Sequence, residues 1–81
     1  MIKEFEEISK LENDRVRELL KDISPEVIVK AYKGTSPENA EYLKETFKEI
    51  DFEKKAAEVG RVRIEEVEKA QQEIIDKINK S

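Results

Sequence analysis

Apolar residues recur along this chain at helical intervals and nowhere alternate for long, so the pattern predicts helices and no strands. Phe5, Ile8 and Leu11 return at every third position, a weak first helix. Val16, Leu19, Leu20 and Ile23 then follow i, i+3, i+4, i+7, the spacing that puts four side chains on one helical face. Asn13 stands just ahead of that run as its expected N-cap. A third run carries Val27, Ile28, Ala31 and Tyr32, a fourth Ala40, Leu43, Phe47 and Ile50, and a short fifth Phe52, Ala56 and Val59. The last and longest stripe is Ile64, Val67, Ala70, Ile74, Ile75 and Ile78. The expected fold is all-α: a compact bundle of about six short helices, forming a single domain over residues 1–81. Val16, Leu20, Leu43, Phe47, Val67 and Ile74 are expected to share its core.

The punctuation falls between these runs. The triplet Ser-Pro-Glu occurs at Ser24-Pro25-Glu26 and again at Ser36-Pro37-Glu38. Each reads as an N-cap serine, a proline at the first helical position and an acid at the positive end of the helix dipole. Asp51 is the matching cap for the fifth run. Gly34 and Gly60 end the third and fifth runs, each expected in the left-handed position that closes a helix.

The stretch "AYKGTS", Ala31 to Ser36, also holds the residue types of a phosphate loop. A loop of that kind needs G-x-x-x-x-G-K-[ST] between a strand and a helix. Here lysine precedes a single glycine and the preceding residues are helical, so the stretch is one helix stopping and another starting. Lys33 lies in the last turn, where a cation meets the negative end of the dipole. Its ammonium is expected in water and free for a second role.

Composition narrows the chemistry. With neither cysteine nor histidine, the chain lacks the usual general base, zinc ligands and disulfides. Adjacent acids such as Glu65/Glu66 or Glu6/Glu7 point about 100° apart on a helix and do not converge on a substrate. No catalysis, metal or cofactor is expected. The 20 acidic and 16 basic residues give a net charge of −4, spread without blocks, which is not the basic face of a nucleic-acid binder. No apolar run reaches the roughly 20 residues of a membrane span, and the N-terminus is too acidic for a signal peptide. A cytoplasmic protein is expected. Acid-before-lysine pairs at i, i+4 occur at Glu6/Lys10, Glu26/Lys30, Glu65/Lys69, Glu73/Lys77 and Asp76/Lys80, as on solvated helical surfaces.

The segment "FEEISKLENDRVRELLKDISPEVIVKAYKG" resembles the C-terminal domain of the flagellar motor switch protein FliG, whose family pattern there is "FEDIxxLDDRSIQxxLREVDxxDLALALKG". Later, "GRVRIEEVEKAQQEIIDKI" resembles the family's "GPVRLxxVExAQQKIxxII". The run Val62-Arg63, Val67-Glu68 and Ala70-Gln71-Gln72 is the most specific part, and the two segments span Phe5 to about Ile78. The resemblance implies a compact armadillo-like helical domain at the rim of the flagellar rotor. One charged helix of that domain would face the cytoplasmic loop of the stator protein MotA and transmit torque, at the cytoplasmic face of the inner membrane. Contacts with FliM and a neighbouring FliG belong to other parts of the family's chain.

Carried over one residue at a time, the family's basic positions fall on Lys33 and Arg63. The segment from Gly34 to Gly60 is shorter than the family's by about three residues, close to one helical turn. Lys54 and Lys55 stand where the family has an acidic pair, or else Lys55-Ala56-Ala57 matches its "RAA" and the acidic pair is missing. Of the family's M-F-x-F hinge, Ile2-Lys3-Glu4-Phe5 keeps only the last residue. The implied partner surface is therefore Lys33, Glu53, Lys54, Lys55, Glu58 and Arg63, richer in base than the family's. The changed charges and lost hinge leave open a different reading, a FliG-like helical adaptor outside the motor.

Overall fold

A computed structural model describes residues 1–80; Ser81, the last residue of the expected domain, lies outside the described residues. It contains a 3₁₀ helix, Phe5–Lys10, followed by α1 (Asn13–Leu19), α2 (Pro25–Lys33), α3 (Pro37–Thr46), α4 (Phe52–Val59) and α5 (Ile64–Asn79). No strand occurs among the described residues. The first helix is 3₁₀ because its apolar side chains recur every third residue, the period of that helix, so Phe5 and Ile8 stack on one side and are both buried.

The caps follow the sequence closely at three of the helix starts. Ser24 Oγ accepts from Glu26 N at 3.2 Å, Ser36 Oγ from Asn39 N at 3.2 Å, and Asp51 Oδ1 from Lys54 N at 3.2 Å. α1 departs from expectation. Its N-cap is Glu12, and Asn13 is the first helical residue, its amide turned away to donate to Thr46 Oγ1 at 2.7 Å. Among the expected i, i+4 pairs, Lys30–Glu26 closes at 3.4 Å, while Glu6 turns to Thr35 and Ser36, and Lys77 to Asp22.

α2 is the central helix, packed against α5, α4 and α3. That is why Ile28, Val29 and Ala31 are all buried, a wider apolar face than one stripe requires. Val16, Leu20, Leu43, Phe47 and Ile74 meet in one core with Ile2, Phe5, Ile8, Tyr42 and Phe52, among others. Val67 is buried but stands outside that cluster, over Gly34. The fourth run ends earlier than expected. α3 stops at Thr46, and Phe47 leaves the helix at φ −119°, ψ 66° while keeping its side chain in the core. Ile64, expected inward, is 72% exposed. Helical side chains lean toward the N-terminus, so a first-turn residue covers the surface ahead of its helix, where here nothing packs on it.

A polar seam ties the N-terminal third to α3. Tyr42 Oη donates to Leu11 O at 2.8 Å, Arg17 donates to Thr46 O at 3.0 Å and to Glu49 at 2.8 Å, and the buried Asn39 amide donates to Phe5 O at 3.0 Å. At the far end the Asn79 amide grips Ile2 from both sides, accepting from its N–H at 2.9 Å and donating to its carbonyl at 2.8 Å. Ile2 is buried beside Phe5, so the segment matching the family's hinge is docked on the domain at two positions, not one.

Candidate partner-binding surface

Four consecutive residues at the end of α2 fasten it to its neighbours, each by a different kind of contact. Ala31 O accepts from Gln71 Nε2 of α5 at 3.1 Å. The Tyr32 ring packs on Phe52 of α4, centroids 4.8 Å apart and planes tilted by 42°. Lys33 Nζ donates to Ala56 O of α4 at 3.0 Å and to Gly60 O just beyond it. Gly34 leaves room for Val67 of α5, whose Cγ1 would lie 2.3 Å from any Cβ added there.

Two of these observations correct the sequence reading. Gly34 is not left-handed: it sits at φ −115°, ψ 20°, open to any residue, and what it supplies is space. Gly60 does take positive φ, at φ 71° and ψ −147°, a conformation essentially reserved for glycine. Nor is the Lys33 ammonium free in water. It reaches across to the C-terminal end of α4, where helical carbonyls lack intrahelical donors and the dipole is negative.

α4 is thus held at both ends and exposed along its outer side. Phe52, 2% exposed, is its one buried side chain, with Ala56 and Val59 half-buried below. Glu53, Lys54, Lys55 and Glu58 are exposed. Glu53 leans back to Lys44 of α3 at 3.4 Å, and Lys55 pairs with Glu58 at 3.7 Å. Lys44 lies 5.8 Å over the Tyr32 ring, and the Tyr32 phenol, followed by Glu53, draws its ammonium pKa above the usual lysine value. Arg63 is the N-cap residue of α5, and its exposed side chain makes no polar contact with the other five positions among the described residues. Lys54 likewise has no ion pair among the described residues. The structure therefore gathers Glu53, Lys54, Lys55 and Glu58 on one short helix, puts Arg63 in the chain just beyond it, and takes Lys33 out of the solvent-facing set.

Sequence reasoning put Tyr32 on an apolar face and Gln71 in the family-like run without seeing their contacts, and it missed Lys44; these roles exist only once α3, α4 and α5 surround α2. It also missed Arg61, an exposed cation between Gly60 and Arg63. Arg61 lines a groove of about 450 Å³ between α2, α4 and the start of α5, floored by Val29, Val59 and Val62. Among the described residues, no group of three or more acidic, histidine or cysteine side chains is placed to hold a metal ion, and no helix is long and apolar enough to cross a membrane.

The domain is all-helical and displays one short charged helix held at both ends, the class of fold that the resemblance to the motor switch family implies. The FliG C-terminal domain family matches residues 1–81, the whole chain, and the chain belongs to that family, one of structural motor components and not of enzymes. Comparisons with curated proteins and with solved structures return no match.

Proposed function

We propose that this chain acts as a non-enzymatic contact domain of the flagellar rotor, working as one unit at the cytoplasmic face of the inner membrane. The outer side of α4, with Glu53, Lys54, Lys55 and Glu58, and Arg63 beyond it, would meet the cytoplasmic loop of the stator protein MotA and pass torque through charge complementarity. The observation that carries this reading is the family match over the whole chain. The exposure of α4 supports it: a helix with one buried side chain offers its remaining surface to a partner. Contacts with FliM or with a neighbouring FliG would fall to other parts of the family's chain.

Such a contact acts by steering and is screened by salt over about 8–10 Å. The excess of base would be matched by acidic charge on the partner. The test is binding of the MotA cytoplasmic loop to the native chain and to Lys54→Glu/Lys55→Glu at rising ionic strength. Binding is expected to weaken with salt and to fall in the double variant, while thermal stability barely moves because exposed charges contribute little to it. Most of the loss should follow Lys54, since Lys55 is already partnered by Glu58. Binding that survives both the double reversal and high salt would refute this reading. It would favour the adaptor reading, with the apolar-floored groove beside Arg61 as the contact.

A further inference from the structure

We propose that Lys33 is a positioning residue: its ammonium holds the C-terminal end of α4 and sets the pose of the charged helix without meeting the partner itself. The proposal deepens the reading of α4 as the contact helix and takes its partner arm from it, but its first test needs no partner.

α4 has eight residues, too few to persist as a helix without tertiary support. Its support is uneven. Near the N-terminal end Phe52 is buried under Tyr32, and Asp51 caps the first turn. The C-terminal half has only half-buried Ala56 and Val59 beneath it. There the backbone turns away at Gly60, whose N–H donates to Ala56 O at 3.1 Å. The same Ala56 carbonyl accepts a second hydrogen bond from Lys33 Nζ, which also donates to Gly60 O. One ammonium thus spans the final turn and the reversal that follows it, at the negative end of the dipole. Both supports start from adjacent residues of α2: Tyr32 holds one end of α4 and Lys33 the other.

A lysine that met an acidic partner directly would keep its ammonium in solvent. This one places it on two backbone carbonyls, so its charge is aimed inward. Only displacement of α4 would bring it to the surface.

The experiment compares Lys33→Met, which keeps the stem and loses the donors, with Lys33→Arg, which keeps donors and charge. Amide hydrogen exchange is followed at Lys55 of α4, at Gly60 that ends it, and at Leu20, Leu43 and Ile74 of the core. In Lys33→Met, exchange at the α4 amides is expected to quicken on the order of tenfold relative to the core amides. The carbonyl carbon resonances of Ala56 and Gly60 should shift with it, and Lys33→Arg should restore both readouts. Unchanged α4 exchange, or acceleration shared equally by the core, would overturn the proposal. With the MotA loop as probe, Lys33→Met is expected to weaken binding while leaving its salt dependence as steep as in the native chain. A shallower salt dependence with native α4 exchange would mean direct contact and would also overturn it. If the native chain fails to bind the loop, the contact reading fails while the exchange result still decides the role of Lys33.

Discussion

Replacing Gly34 with alanine separates two accounts of why glycine stands there. If it served a left-handed backbone, the cost of alanine would lie in the residue itself, and no neighbour could relieve it. At φ −115° and ψ 20° that cost is absent. The structure puts the cost in space: the new Cβ would lie 2.3 Å from Val67 Cγ1 and 3.4 Å from Val67 Cβ, when ordinary carbon contacts begin near 3.5 Å. Val67 is β-branched and lies inside α5, where one rotamer dominates, so it cannot swing aside cheaply. The helices must part or the side chain must strain, an overpacking cost of about 1–3 kcal/mol. Loss of glycine's freedom in the unfolded chain offsets about 0.4–1 kcal/mol of it. The net is a destabilisation of up to about 2.5 kcal/mol and about 1.3 kcal/mol at mid-range, with a Tm lower by roughly 6 °C for each kcal/mol in a domain of this size.

The assay is a double-mutant cycle read by urea unfolding. Val67→Ala alone should cost about 1.5–2 kcal/mol for two lost buried methyl groups. In the double variant the alanine at position 34 loses the 2.3 Å clash and keeps only ordinary contact at 3.4 Å with the Cβ of residue 67, so the two costs should fall short of adding by about 1 kcal/mol. Gly60→Ala is the control. It faces no atom within 4 Å but stands at φ 71°, so it should cost about 1–2 kcal/mol wherever its surroundings are trimmed. Strict additivity of Gly34→Ala and Val67→Ala, or a Gly34→Ala variant as stable as the native chain, would refute the close-approach account.

Leu20→Ala should cost about 2–5 kcal/mol, because its side chain is fully buried where α1 meets the core; an unmoved Tm would place Leu20 outside that core. Glu6 supplies a pH dependence: slight burial pushes its carboxyl up, but hydrogen bonds from Ser36 and Thr35 outweigh it and hold its pKa below the usual carboxylate range. Its stabilisation is therefore complete above the unfolded carboxylate pKa and lost as pH falls through the lower folded value, so Glu6→Gln should flatten the decline in urea midpoint between about pH 5 and pH 3, and an unchanged acid limb would argue against it.

Local rules explain which parts of the fold could be read from the chain. Ser24-Pro25 and Ser36-Pro37 set helix starts by themselves, since proline removes a donor the first turn does not use and serine supplies an acceptor it needs. Leu20, Leu43 and Ile74 lie on stripes whose period alone turns them inward. What stayed hidden depends on residues distant in sequence. Asn13 looked like a cap because nothing nearby competes for it; the competitor is Thr46, on α3. Gly34 looked like a backbone device because Val67 is invisible until α5 lies on α2. The family resemblance named Lys33, Glu53, Lys54, Lys55, Glu58 and Arg63 as a surface, but how these charges pair in the fold was not legible from it.

That pairing changes what the charges can do. Counted along the chain, Lys33, Lys54, Lys55 and Arg63 outnumber Glu53 and Glu58 and make a basic surface. In the fold, Glu53 is drawn to Lys44, Lys55 to Glu58, and Lys33 to two carbonyls. Within α4 and the segment that follows it, the cations left without an internal partner among the described residues are Lys54, Arg61 and Arg63. Exposed ion pairs are worth at most about 1 kcal/mol, so a strongly acidic partner can exchange them at little cost. The Lys33 bonds differ, because breaking them also loosens the helix that presents the other charges. Charge reversals on the outer face should therefore act residue by residue, Lys54 more than the paired Lys55, whereas changes at Lys33 should act on the whole face together.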